Sequence, residues 1–137
     1  MYKLGRKSLS RLVGVHPELT FAVSEAIKIS KQDFSVTEGV RPMERQRQLY
    51  RDGLSRTLDS YHIYGLAVDL VPYTRYGLKW DEKLFPEIRR AMYEVIRAHG
   101  LRIDNGYDLW KWDMPHWQLT GKKAEYDIRK IHDCFKG

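Results

Sequence analysis

Apolar positions in the first third of the chain recur with the period of a helix and then switch to the period of a strand. Leu19, Ala22, Val23, Ala26 and Ile27 fall at i, i+3, i+4, i+7 and i+8 behind Pro17 and Glu18, which predicts a helix with one apolar face. From Asp33 to Val40, Phe34, Val36 and Val40 are interleaved with Ser35, Thr37 and Gly39, the pattern of a half-buried strand that Pro42 terminates. Glu44 to Asp52 is polar apart from Leu49 and Tyr50, and Gly53 follows it, as expected of a short surface helix. Leu66 to Val71 is a nearly all-apolar run between Gly65 and Pro72, and reads as a central strand interrupted by Asp69. Ile88, Ala91, Met92, Val95 and Ile96 return to helical spacing between Pro86 and His99, with Gly100 just beyond. Leu101 to Ile103 and His116 to Leu119 read as short strands, separated by an irregular, tryptophan-rich stretch from Asn105 to Asp113. Ala124 to Phe135 reads as a basic helix packing Ile128, Ile131 and Phe135. Helices and strands without regular βαβ spacing predict an α+β fold with one small domain, its core at about 5–120 and a C-terminal helix at about 122–137.

Composition narrows the class. The 137 residues include 24 Lys and Arg against 18 Asp and Glu, a formal charge of +6, and 42% hydrophobic residues are enough for a core. Cys134 is the only cysteine, which excludes an intrachain disulfide and any cysteine-based zinc site. No repeat, low-complexity tract or linker marks a domain boundary, no segment reaches the roughly 20 apolar residues of a membrane span, and the N-terminus lacks a signal-peptide core. Synthesis in the cytoplasm is therefore expected. The positive charge favours polyanionic partners, among them anionic envelope polymers and lipid. Nucleic acid is disfavoured, because Lys and Arg are scattered and no DNA- or RNA-binding motif is present.

The candidate chemistry starts from Asp69. An ionised carboxylate inside an apolar strand costs several kcal/mol unless a cation or strong donors compensate it. His62 lies seven residues upstream, and Asp113-Met114-Pro115-His116 adds a second carboxylate and a second histidine at the opening of another strand. Two histidines and one carboxylate are the three-ligand set that leaves zinc a fourth position for water. Spacing alone leaves a bland alternative open for each residue: Asp69 paired with an arginine, His62 as an ordinary hydrogen-bonding residue, the Asp113 to His116 segment as a turn. His16, His99 and His132 stand outside any such grouping.

Taken together, S-x-H-x-x-G-x-A-x-D from Ser60 to Asp69 and D-x-P-H-W-Q-L from Asp113 to Leu119 resemble the zinc peptidases of the lysostaphin, D-Ala-D-Ala peptidase and hedgehog-like superfamily. Within it the chain is similar to the D-alanyl-D-alanine carboxypeptidase-like branch, and most to small phage endolysins that cut L-alanyl-D-glutamate bonds. The similarity runs from about Gly5 to Leu119 and includes the segment from Asp33 to Arg41. It implies a short antiparallel sheet carrying one zinc ion, with His62, Asp69 and His116 as ligands, Asp113 as catalytic base and Arg41 stabilising the substrate carbonyl. Ser60 matches a motif position near the site, and Tyr107 and Trp110 are candidates for the cleft wall. Where many relatives carry Gly-Gly-Asp-Trp, this chain has Asn105-Gly106-Tyr107-Asp108-Leu109-Trp110.

The implied activity is hydrolysis of the L-alanyl-D-glutamate bond of peptidoglycan stem peptides by a monomer that has no stable protein partner or separate wall-binding domain. Such a protein reaches the wall once the membrane is permeabilised. Two other readings compete: a D-Ala-D-Ala carboxypeptidase or dipeptidase using the same zinc set, and a non-catalytic cationic module that binds the envelope. Against the second, a structural zinc usually has four protein ligands, and three are evident.

Overall fold

The computed structural model describes residues 1–120; the expected C-terminal helix lies outside the described residues. The elements in order are α1 (Arg6–Arg11), α2 (Pro17–Ile29), β1 (Phe34–Glu38), α3 (Met43–Arg51), a 3-10 turn (Tyr61–Tyr64), β2 (Ala67–Thr74), β3 (Gly77–Leu78), a 3-10 turn (Glu82–Leu84), α4 (Phe85–His99), β4 (Ile103–Asn105), α5 (Gly106–Trp110) and β5 (His116–Leu119). The strands form an antiparallel sheet in the order β1-β2-β5-β4, with β3 hairpinned onto the end of β2. This is the expected α+β architecture.

The two helices with helical apolar spacing bury the faces that spacing marks. Leu19, Ala22, Val23, Ala26 and Ile27 of α2, and Ile88, Ala91, Met92, Val95 and Ile96 of α4, join Phe34, Val36, Val68, Leu70, Ile103, Trp117 and Leu119 of the sheet in one core. His16 caps α2, its ring Nδ1 accepting from the Glu18 amide, and Gly100 ends α4 in the left-handed conformation. Among the described residues no helix is long and apolar enough to cross a membrane.

Three departures from the sequence pattern shape the site. β2 runs through Pro72 to Thr74 instead of stopping before the proline. Its pairing with β5 covers only Ala67 to Asp69, so no β5 carbonyl awaits an N–H at Pro72, whose own carbonyl accepts from the Lys79 amide at 2.9 Å. α1, which the apolar pattern does not announce, covers the outer edge of β1: the Val36 amide donates to Ser8 Oγ at 3.0 Å and Arg11 Nη1 donates to the Val36 carbonyl at 3.0 Å. Between Asn105 and Asp113, expected to be irregular, the chain forms β4 to Asn105 and then the single-turn α5.

Candidate metal centre

Period-two alternation divides the sheet into a core face and a site face. Val68, Leu70, Trp117 and Leu119 enter the core, so Asp69, His116 and Gln118 face the other way. Asp69 and His116 are direct cross-strand partners in the β2–β5 ladder, which fixes their separation by backbone register. His62 arrives on the 3-10 turn that precedes β2. Ser60 Oγ accepts from the His62 amide at 3.2 Å and caps this turn, so the structure gives Ser60 a role in positioning His62. A left-handed Gly65 closes the turn; its Cα lies so close to Gly14 that a Cβ would come within 2.4 Å of the Gly14 carbonyl oxygen.

The three side chains converge. Asp69 Oδ1 lies 3.2 Å from His62 Nε2 and 3.3 Å from His116 Nδ1, and one ligand atom from each residue fits within 4.8 Å of the others. Both rings are buried, and their far nitrogens are engaged. His62 Nδ1 donates to the Gly39 carbonyl at 3.0 Å, which leaves Nε2 with its lone pair toward the centre. His116 Nε2 donates to Gln118 Oε1 at 2.8 Å, which leaves Nδ1. In these tautomers two imidazole lone pairs and a carboxylate oxygen face one another, three acceptors at hydrogen-bond distance with no donor between them. A cation resolves that arrangement, and the N,N,O donor set suits a divalent transition metal. His62, Asp69 and His116 form a group able to hold a metal ion.

The same coupling shows in the pKa shifts, where a proton on an imidazole plays the part of the cation. Burial would raise the Asp69 pKa, but the two imidazoles, His62 foremost, outweigh it and hold the carboxyl well below its ordinary range. His116 moves up despite its burial, because Asp69 favours the imidazolium. Asp113 moves the opposite way from Asp69. Burial lifts its pKa and Asp69 adds to the rise, against the opposing pull of His116, His62 and Arg41.

The Asp113 to His116 turn is held by a residue that the sequence marks only as a departure from the family pattern. Asn105 is 1% exposed. Its Nδ2 donates to the Met114 carbonyl at 2.8 Å and the His116 carbonyl at 3.0 Å, while its Oδ1 caps α5 by accepting from the Tyr107 amide at 3.2 Å. Gly106 follows where a Cβ would stand 2.3 Å from the Asp113 carbonyl oxygen and 3.0 Å from His116 Cβ, so only glycine lets α5 lie against the turn.

Arg41 leaves β1 beside the site, its amide bonded to the His62 carbonyl at 2.9 Å. Its guanidinium is not a free surface group. Nε and Nη2 grip Glu38 at 2.6 and 2.7 Å, and Nη1 donates to Gln46 Oε1 at 2.7 Å. Gln46 is fully buried and in turn donates to Ser55 Oγ and the Thr57 carbonyl in the loop leading to His62. Arg41 therefore has both an ion pair with Glu38 and a place within electrostatic reach of Asp113.

Of the two cleft-wall candidates, Trp110 stands at the centre, its ring 5.3 Å from that of His116. Tyr107 lies on the far side of α5, lining a cavity of about 400 Å3 with Phe85, Ile88, Met114 and Trp117. Sequence reasoning passed over Asn105, Gln118, Glu38 and Gln46. Gln118 was visible as part of the second motif, but its partner was not. Replacing it by leucine removes the acceptor that fixes the His116 tautomer, and metal affinity is expected to fall about 10- to 100-fold. Competition against a chromophoric chelator measures this; unchanged affinity would free His116 from that dependence.

A family model described as phage L-alanyl-D-glutamate peptidase matches residues 1–131. The chain belongs to that family. It is 29% identical over 136 residues to the L-alanyl-D-glutamate peptidase of Escherichia phage T5, covering 92% of this chain and 93% of the relative. The crystal structure of the L-Ala D-Glu endopeptidase ChiX of Serratia marcescens superposes with a TM-score of 0.82 at 36% identity, over 91% of this chain and 93% of that one. The LD-carboxypeptidase LdcB shares the fold at 18% identity, with a TM-score of 0.54 over 89% of this chain and 68% of that one.

Proposed function

We propose that this member of the family is a zinc-dependent endopeptidase that hydrolyses the L-alanyl-D-glutamyl bond of peptidoglycan stem peptides. The observation that carries the reading is the convergence of His62, Asp69 and His116, with Asp113 three residues before the last of them, in a chain the family model matches from end to end of the described residues.

The chain's residues divide the work. His62 Nε2, His116 Nδ1 and an Asp69 oxygen would hold the ion. Zinc held there would supply Lewis acidity to the scissile carbonyl and to the attacking water. Asp113 takes the proton of the attacking water on a carboxylate oxygen and returns it to the leaving amine of D-glutamate. Its raised pKa suits both transfers, since a carboxylate of ordinary acidity binds the proton too weakly. The Arg41 guanidinium, oriented by Glu38 and Gln46, uses three of its five N–H donors in that clamp and presents positive charge to the developing oxyanion.

The purified protein is expected to hold one zinc per chain, to lose activity on chelation and to regain it when zinc is returned. His62→Ala should lose both metal and activity while keeping its circular dichroism. Full zinc occupancy in His62→Ala, measured by elemental analysis, contradicts the ligand assignment.

A further inference from the structure

Two exposed indoles stand beside the metal centre. Trp117, in the core, is 1% exposed, whereas Trp110 and Trp112 are 46% and 65% exposed. Trp110 lies against the His116 ring at 5.3 Å, and Trp112 follows at 6.5 Å from Trp110 with the two planes tilted by only 35°. Together they extend an aromatic surface outward from a metal-binding residue. Between them sits Lys111, at φ 70° the one non-glycine residue with left-handed backbone among the described residues. An L-residue is strained in that conformation, where its Cβ crowds the following carbonyl oxygen. Here it turns the chain at the end of α5, its amide bonded to the Tyr107 carbonyl, so that the residues on either side present neighbouring rings. Strained backbone next to exposed, paired aromatic rings at a reactive centre marks a surface shaped for a ligand.

We infer that Trp110 and Trp112 form a stacking platform for the muramyl sugar that carries the stem peptide, and that the enzyme recognises the glycan next to the bond it cuts. The inference rests on the L-alanyl-D-glutamyl reading. In peptidoglycan the L-alanine nitrogen is acylated by the lactyl group of the sugar, so one amino acid and one lactyl unit separate the scissile carbonyl from the pyranose ring. Two such units span about 7 Å when extended. The Trp110 ring lies 5.3 Å from the His116 ring and the Trp112 ring 6.5 Å from Trp110, so a pyranose about 7 Å from a carbonyl seated at the metal falls within the span of the pair. The chemistry matches as well: the C–H face of a pyranose is weakly positive and apolar, and the face of an indole is negative and apolar.

The test compares kcat/KM on two substrates with the same scissile bond: the disaccharide-tetrapeptide of the wall and the same tetrapeptide without sugar. The wild type is expected to prefer the sugar-bearing substrate by about five- to tenfold, the range of one aromatic stacking contact. Trp112→Ala should lose most of that preference through a loss confined to the sugar-bearing substrate, and Trp112→Tyr, which retains a stacking face, should keep most of it. Trp112 is the chosen position because Trp110 touches His116; metal content and melting temperature confirm that the variants stay folded and loaded. Equal efficiency of the wild type on both substrates overturns the inference, as does preference retained in Trp112→Ala or an equal loss on both. A wild type that cleaves the bond in neither substrate removes the L-alanyl-D-glutamyl reading itself, and the platform with it.

Discussion

Asp113→Asn is expected to lower kcat by about 10²- to 10⁴-fold, the range of a positioned general base, while the protein keeps its metal. The amide matches the carboxylate in size, so the turn to His116 and the packing of Gly106 against it survive. It cannot accept the proton of water at neutral pH. The melting temperature of the metal-free variant should equal or exceed that of the metal-free wild type. Burial raises the Asp113 pKa in the folded chain, so folded protein holds this proton more tightly than unfolded protein and stability falls as pH rises through that window. Ionised Asp113 is thus a cost to the fold at neutral pH, and asparagine removes it. Turnover at the wild-type rate would exclude Asp113 from the chemistry; parallel loss of metal and activity would make it a structural residue.

Asn105→Asp is expected to be the most damaging single-atom change outside the ligand set. The native amide donates to two carbonyls, those of Met114 and His116, from a buried position. A carboxylate there places negative oxygens against both and leaves them without donors. Each buried carbonyl left unpaired costs about 1–3 kcal/mol, and the unpaired buried charge adds to it. A loss of about 3–5 kcal/mol in chemical denaturation is expected, with a loss of metal affinity because the same bonds hold the His116 backbone. Asn105→Ala, which keeps the site free of a new charge, should lose less. A denaturation midpoint for Asn105→Asp equal to the wild type would show that the two carbonyls are satisfied otherwise.

What the sequence made legible follows from how far each signal reaches. α2 and α4 were readable because their apolar residues repeat over at least two turns against one sheet, and the group able to hold a metal because Asp69 violates an apolar strand while His62 and His116 fall in motif positions. α1 was hidden: its one large apolar residue, Leu9, is exposed, and the helix exists to satisfy the β1 edge through Ser8 and Arg11. α5 was hidden as well, because five residues are too few for a helical period and its ends are set by Asn105 and by left-handed Lys111. The Glu38 clamp on Arg41 was beyond reach for a related reason. Thr37 sits in a bulge of β1 opposite Asp69, and that bulge changes which neighbours the residues beyond it can meet.

The central claim is the bond. Purified Gram-negative-type peptidoglycan digested with the zinc-loaded protein and analysed by mass spectrometry is predicted to yield peptides that begin with D-glutamate and glycan that retains L-alanine. Release of free terminal D-alanine with the L-alanyl-D-glutamyl bond intact would contradict the account and establish a carboxypeptidase on the same metal centre.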